Sequence, residues 1–244
     1  MSITFVSVSA GGWHQPSGLA VVERLPVPTS AAYTYIPDPP ATSPHRYRAQ
    51  VPRPVELAEQ RQDARVEYHV RYLQRHGPPT RIGRLGSIIA RIVSEIAGDV
   101  VLLLDCTAIG APGYKRLSQA AADARDQIPV MGVLVSGAAG GTSRTGDGLR
   151  VAPRQHLIVE LQSLFDSGRL KVASALPLAA TLEGELLAFQ QKPPRSDPSS
   201  LDGWREGQYD DLVLATALPV WAGERHLYSP DHIVLPEPAP LSRG

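Results

Sequence analysis

Five apolar residues in a row, Val100-Val101-Leu102-Leu103-Leu104, stand between Asp99 and Asp105. A strand with one wet face alternates apolar and polar residues. One that does not alternate is covered on both faces, which is the condition of a central strand in an α/β sheet. Its neighbours agree. Upstream, Thr80 to Ala97 carries Ile82, Leu85, Ile88, Ile89, Ile92, Val93 and Ile96 at helical spacing, with Thr80 as the expected cap and Gly98 as the stop. Downstream, Pro112 to Gln127 is an alanine-rich helix and Pro129 to Ser136 a second apolar strand. Strands and helices in alternation imply a mostly parallel second half.

The first part of the chain has a different pattern. Ile3 to Ser9 and Gly18 to Leu25 are rich in β-formers and flank Gly11 to Pro16, which predicts two antiparallel strands joined by a turn. From Pro26 to about Asp63 prolines recur at positions 26, 28, 37, 39, 40, 44, 52 and 54, which removes ladder donors and argues against regular structure. This stretch reads as an excursion from the fold. Arg65 to Arg75 then alternates Val66, Tyr68, Val70 and Tyr72 against Glu67, His69 and Arg71, a third strand.

After the apolar strands, Gly137 to Gly148 reads as a flexible loop, Pro153 to Gly168 as a helix, Leu170 to Ala173 as a short strand, and Pro177 to Gln190 as a helix. Pro193 to Gly203 reads as a link and Gln208 to Gly223 as the last helix. The expected organisation is one domain over residues 1–225, with the proline-rich excursion at about 26–63, and an extended tail over 226–244.

Composition narrows the function. The 244 residues carry 24 basic and 24 acidic side chains, so no global field recruits a polyanion and any nucleic-acid surface must be local. The single cysteine, Cys106, rules out an internal disulfide framework and a cysteine zinc knuckle, and points to an intracellular chain. Nothing reads as a membrane span or a signal peptide. The glycines of Gly137 to Gly141 are not followed by the Lys-Ser/Thr of a phosphate-binding P-loop, so no ATPase motif is present. Seven scattered histidines lack zinc spacing, and no Gly-x-Ser-x-Gly elbow occurs.

Two acidic stations remain. Asp105 closes a buried strand, and ligands of open α/β sheets bind at the carboxyl ends of strands. An aspartate there also commonly caps the turn that follows, and position alone weighs the two evenly. The doublet Asp210-Asp211 opens the apolar run Leu212-Val213-Leu214-Ala215. The helix dipole favours acids in a first turn, so capping is again the plain alternative, yet adjacent carboxylates repel unless a cation lies beside them.

The order of these elements is similar to the ribonuclease H-like fold, a mixed sheet with antiparallel N-terminal strands and a parallel second half, flanked by helices. More narrowly, the chain resembles the C-terminal nuclease domain of phage terminase large subunits, which work in DNA packaging. The residues that carry the resemblance are Leu104 to Pro112, Val151 to Arg154, Ser167 to Val172, Glu185 to Phe189, and Tyr209 to Ala215. It covers most of Ile3 to Trp221 outside the excursion.

The resemblance implies hydrolysis of a DNA phosphodiester by water, with Mg²⁺ or Mn²⁺ held in a two-ion site. Asp105 matches the family's central-strand acid and Asp210 or Asp211 its last acid, so these three are the expected catalytic and metal-binding residues. The first-strand acid falls on Ser9, a neutral and weak ligand, with Glu23 and Asp147 as remote substitutes, and the family's histidine before the doublet is Tyr209. Arg154 keeps the charge of a family lysine, and Arg154, Arg150 and Lys171 are candidates to meet phosphates. The implied partners are DNA, a separate packaging ATPase and other phage proteins, in the cytoplasm of a bacterial host and away from membranes. Ser9 supports an alternative: a catalytically degenerate relative serving as a structural or protein-binding module. A third, weaker reading has the strand-end crevice hold a small phosphorylated ligand.

Overall fold

The computed structural model describes residues 2–12, 14–28, 64–137, 142–190 and 210–228. The expected link at 193–203, most of the proline-rich excursion, most of the C-terminal tail, and Tyr209 lie outside the described residues. Eight strands form one sheet: β1 (Ile3–Ser9), β2 (Ser17–Pro28), β3 (Ala64–His76), β4 (Val100–Asp105), β5 (Val130–Ser136), β6 (Ser143–Arg144), β7 (Arg150–Pro153) and β8 (Leu170–Val172). Five helices accompany them: α1 (Ile82–Glu95), α2 (Gly110–Ala124), α3 (Arg154–Asp166), α4 (Ala179–Gln190) and α5 (Asp211–Glu224). The strand order is β6-β7-β5-β4-β1-β2-β3-β8. β1, β2 and β3 form an antiparallel meander, while β4, β5 and β7 run parallel to β1. This is the mixed sheet, antiparallel in its N-terminal strands and parallel in its second half, expected from the sequence.

The apolar run of β4 is buried along its whole length. Leu102 and Leu104 join Leu85, Ile89, Leu117 and Ala121 in a core beneath α1 and α2, whereas Val101 and Leu103 join the core formed with α3 and α5. Asp105 continues the second set and therefore emerges on the α5 face. Parity puts Ser9 on that face too, since Phe5 lies in the α5 core and Val6 and Val8 in the other.

Helix α5 is apolar on every side, and from Asp211 to Gly223 every residue is buried. Such a helix is stable only when enclosed. It lies on β1, β2 and β3 and is covered by α3 and α4. Each fully buried Leu or Val contributes about 1.5–3 kcal/mol relative to exposure. Its far end is pinned where Tyr68 donates its hydroxyl to Glu224 at 3.0 Å and Arg169 meets both oxygens of Glu224 at 2.7 and 2.8 Å.

Several boundaries differ from the expectation. β2 continues through Pro26 to Pro28, because β1 ends at the Ile3 to Arg24 pair and the overhang has only β3 beside it, an edge position that tolerates proline. Thr80 does not cap α1: its hydroxyl donates to the carbonyls of His76 and Gly77, closing the turn before the helix. The loop after β5 contains β6, which pairs antiparallel with β7, a strand too short to carry a pattern of its own. Among the described residues, no helix is long and apolar enough to cross a membrane.

Candidate functional site

Asp105 leaves β4 directly opposite Ser9 of β1. Ser9 donates its hydroxyl to Asp105 Oδ2 at 3.3 Å, and Thr107 donates its backbone N–H at 2.9 Å and its hydroxyl at 2.5 Å to Oδ1. The Thr107 hydroxyl in turn accepts the Val135 N–H at 2.8 Å, tying the turn to β5. The turn-holding role and the crevice-facing role of Asp105 are thus both present. Burial raises the Asp105 pKa above the ordinary carboxylate range, opposed by the hydrogen bonds from Thr107 and Ser9 and by the charge of Arg154. Neighbouring Cys106 is buried, and burial pushes its thiol up to about 12, so it is no nucleophile.

The aspartate doublet divides. Asp210 occupies the N-cap position of α5 but makes no side-chain cap hydrogen bond, and instead forms an ion pair with Arg154, the first residue of α3. Asp211 is buried and turns to Arg75 of β3, whose Nε donates to Oδ2 at 2.9 Å while an Nη lies 2.8 Å from Oδ1. The same guanidinium contacts Glu185 of α4, and the other oxygen of Glu185 accepts the Val213 N–H at 3.3 Å in the first turn of α5. Burial works against the charge on Arg75, but hydrogen bonds to Asp211 and then Glu185 raise its pKa overall. Glu185 is pushed up to about 7, first by burial and then by the charge of Asp211, against the pull of Arg75.

Arg75 arrives at this place by a β-bulge. The β2–β3 register slips between Val21 and Val22, which pair with Tyr72 and Val70, leaving Arg71 as the extra residue. Tyr68 and Val70 face the α5 core, but beyond the bulge Leu73 takes that face and Tyr72 packs in the other core. Arg75 follows Leu73. The straight alternation from Val66 to Tyr72 read from the sequence therefore breaks one residue before its end, and Arg75 reaches Asp211 because it does.

Ser9, His14, Asp105, Thr107, Arg154, Asp210 and Asp211 line one cavity of about 420 Å³ at the carboxyl ends of β1, β4 and β5. Sequence reasoning missed Arg75 and Glu185. Lys171 is not brought to this cavity: it is exposed on β8 opposite His69, four strands from β4, roughly 19 Å at about 4.8 Å per strand. Neither Glu23, which accepts hydrogen bonds from Ser2 and Arg71, nor the exposed Asp147 lines the cavity, so neither stands in for the acid that Ser9 lacks.

Mg²⁺ is usually held by one or two carboxylates, with waters and substrate phosphates filling the other positions. Asp105 and Asp210, which line the same cavity, are the carboxylates that could hold such an ion, with the Ser9 hydroxyl beside Asp105. Arg154 marks the place for positive charge, since it pairs with Asp210 and acts electrostatically on Asp105. Among the described residues, no group of three or more His, Cys, Asp or Glu side chains is arranged to hold a metal.

No protein-family model and no curated protein matches the sequence. Solved structures similar to this chain include the human cytomegalovirus terminase nuclease domain soaked with Mn and bound to an inhibitor, with TM-score 0.48 and 11% identity over 90% of this chain and 82% of that one. The same domain soaked with Mn alone gives TM-score 0.46 and 11% identity over 93% and 84% of the two chains. A further structure of that nuclease domain gives 0.43 and 12% over 95% and 86%.

Proposed function

We propose that this domain hydrolyses DNA phosphodiesters with Mg²⁺ or Mn²⁺ at the cavity shared by Asp105 and Asp210. The observation that carries the reading is their convergence with Arg154 at one strand-end cavity although they are remote in sequence. Asp105, Asp210 and Ser9 would hold a single ion. Bound there, it would supply an activated water and neutralise charge on the phosphate. Thr107 and Ser9 keep the Asp105 carboxylate oriented, and Arg154, once an ion takes over its place at Asp210, can meet non-bridging phosphate oxygens with its planar fork. The setting we propose is phage or prophage DNA packaging in a bacterial host, beside a packaging ATPase and other phage proteins.

Plasmid incubated with the protein and MnCl₂ tests this. The wild type nicks it, Asp105→Asn does not, and Ser9→Asp nicks it faster. Silence of wild type and Ser9→Asp alike defeats the proposal.

One observation favours a second reading, a catalytically silent relative that binds DNA or a protein partner. Each acid of the cavity already has company: Ser9 and Thr107 on Asp105, Arg154 on Asp210, and Arg75 on Asp211. In that case only Ser9→Asp nicks the plasmid.

A further inference from the structure

We infer that Arg75 and Glu185 form a clamp that commits Asp211 to anchoring helix α5 and leaves Asp210 as the acid that works with Asp105. The inference rests on the proposed hydrolytic reading for the role of Asp210, while the clamp itself stands on geometry.

The two aspartates are adjacent, but their side chains diverge across the sheet. The Asp211 backbone lies directly on Gly18 of β2, where a Cβ on the glycine would come within 2.4 Å of the Asp211 carbonyl oxygen. From that fixed point the Asp211 carboxylate turns toward β3, because Arg75 is there. The Asp210 carboxylate turns the other way, toward Arg154 at the end of β7. In the strand order β7-β5-β4-β1-β2-β3, Asp105 lies on the Arg154 side of Gly18 and Arg75 on the opposite side. Arg154 acts on both Asp105 and Asp210. Asp210 is therefore the member of the doublet on the side of Asp105.

The clamp also has the chemistry of an anchor. Asp211 is 5% exposed and the Glu185 side chain 9%, and both use the same guanidinium. Glu185 in addition accepts the Val213 N–H, one of the backbone donors that a helix N-terminus leaves without an intrahelical partner. Three elements, β3, α4 and α5, are thus joined through one partly buried cation. To ligate an ion in the cavity Asp211 would have to give up both of its contacts to the partly buried Arg75 guanidinium. Arg75 is a positioning residue: it fixes which carboxylate remains for the cavity.

The test combines Mn²⁺ binding, with free ion counted by electron paramagnetic resonance in a titration of the full chain with MnCl₂, and thermal unfolding. Asp210→Asn is expected to weaken Mn²⁺ binding at least tenfold while Tm stays within about 2 °C. Asp211→Asn is expected to lower Tm by about 5–10 °C and to leave Mn²⁺ affinity within about threefold. Arg75→Met should lower Tm as well, with Asp211→Asn adding little on top of it; if Arg75→Met does not fold, Arg75→Lys serves in the same cycle. Loss of Mn²⁺ binding in Asp211→Asn with Tm unchanged, or additive Tm losses at Arg75 and Asp211, overturns the clamp. Absence of Mn²⁺ binding by the wild type overturns the hydrolytic reading and the role of Asp210 with it, while the Tm cycle still decides the clamp.

Discussion

Ser9 on β1 donates its hydroxyl to Oδ2 of Asp105 on the adjacent parallel strand, at 3.3 Å and under cover from solvent. A neutral donor here keeps one buried carboxylate satisfied. A second carboxylate would repel it, unless a divalent ion lay between the two. Ser9→Asp should therefore destabilise the metal-free protein, by about 2–4 kcal/mol in urea unfolding. Added MnCl₂ should recover most of that loss and also raise the wild-type Tm less than the variant's. An equal response of the two proteins to Mn²⁺ would show that position 9 has no part in ion binding.

Thr107 serves two partners with one hydroxyl, donating to Asp105 and accepting from Val135. Thr107→Val keeps the shape and removes both contacts, leaving the Val135 N–H and one side of Asp105 without that partner. The expected cost is about 2–3 kcal/mol, read from the urea midpoint at unchanged slope. Because hydrogen bonds from Thr107 oppose the burial that raises the Asp105 pKa, the variant should need a higher pH to bind Mn²⁺. A binding profile unmoved along the pH axis would mean that Asp105 is not the group titrated.

The fold was readable where one rule governed a whole element. Burial on both faces marked Val100–Leu104 as central, and helical spacing marked residues 82–96, since in both the pattern repeats several times. The site was half readable. Asp105 and the doublet Asp210-Asp211 stood out because they end or begin apolar runs, so sequence position reveals them. Arg75 did not, for a bulge at Arg71 reverses its face, and a bulge leaves no mark in a run of alternating residues. Glu185 left a faint one: it lies on the same stripe of α4 as Leu182 and Leu186, where a carboxylate is out of place without a cation. Lys171 looked equivalent to Arg154 as an isolated basic residue, and only strand order separates them.

Glu185 predicts a pH dependence. Its folded pKa is raised from 4.5 to about 7, chiefly by burial, with Arg75 already shared with Asp211. Between these values the folded state binds a proton that the unfolded state does not. Stability from this group is therefore full below about pH 4.5 and is lost as pH rises toward 7, by at most about 3 kcal/mol. Glu185→Gln imitates the protonated form at all pH values. The variant should match the wild type near pH 5 and exceed its stability at pH 8, as measured by urea unfolding at both. A variant that is less stable at pH 8 than at pH 5, relative to wild type, would mean that the Arg75 ion pair outweighs burial and keeps Glu185 charged.

Gly18, the second residue of β2, lies beneath the first turn of α5, with no room for a side chain. A Cβ would sit 2.4 Å from the Asp211 carbonyl oxygen, 2.5 Å from its carbonyl carbon and 3.0 Å from Oδ2. Two of these three are backbone atoms, and α5 is enclosed on all sides, so the helix cannot shift alone. Gly83, on the first turn of α1, meets nothing within 4 Å. Gly18→Ala should cost about 3 kcal/mol or more through overpacking, whereas Gly83→Ala should be neutral or stabilising by a few tenths to about 1 kcal/mol through helix propensity. Moving the head of α5 also moves Asp210 and Asp211 together, so Gly18→Ala should weaken Mn²⁺ binding even at temperatures where the protein remains folded. If Gly18→Ala matches Gly83→Ala in both stability and Mn²⁺ affinity, close contact of β2 with the helix head does not hold the site in place.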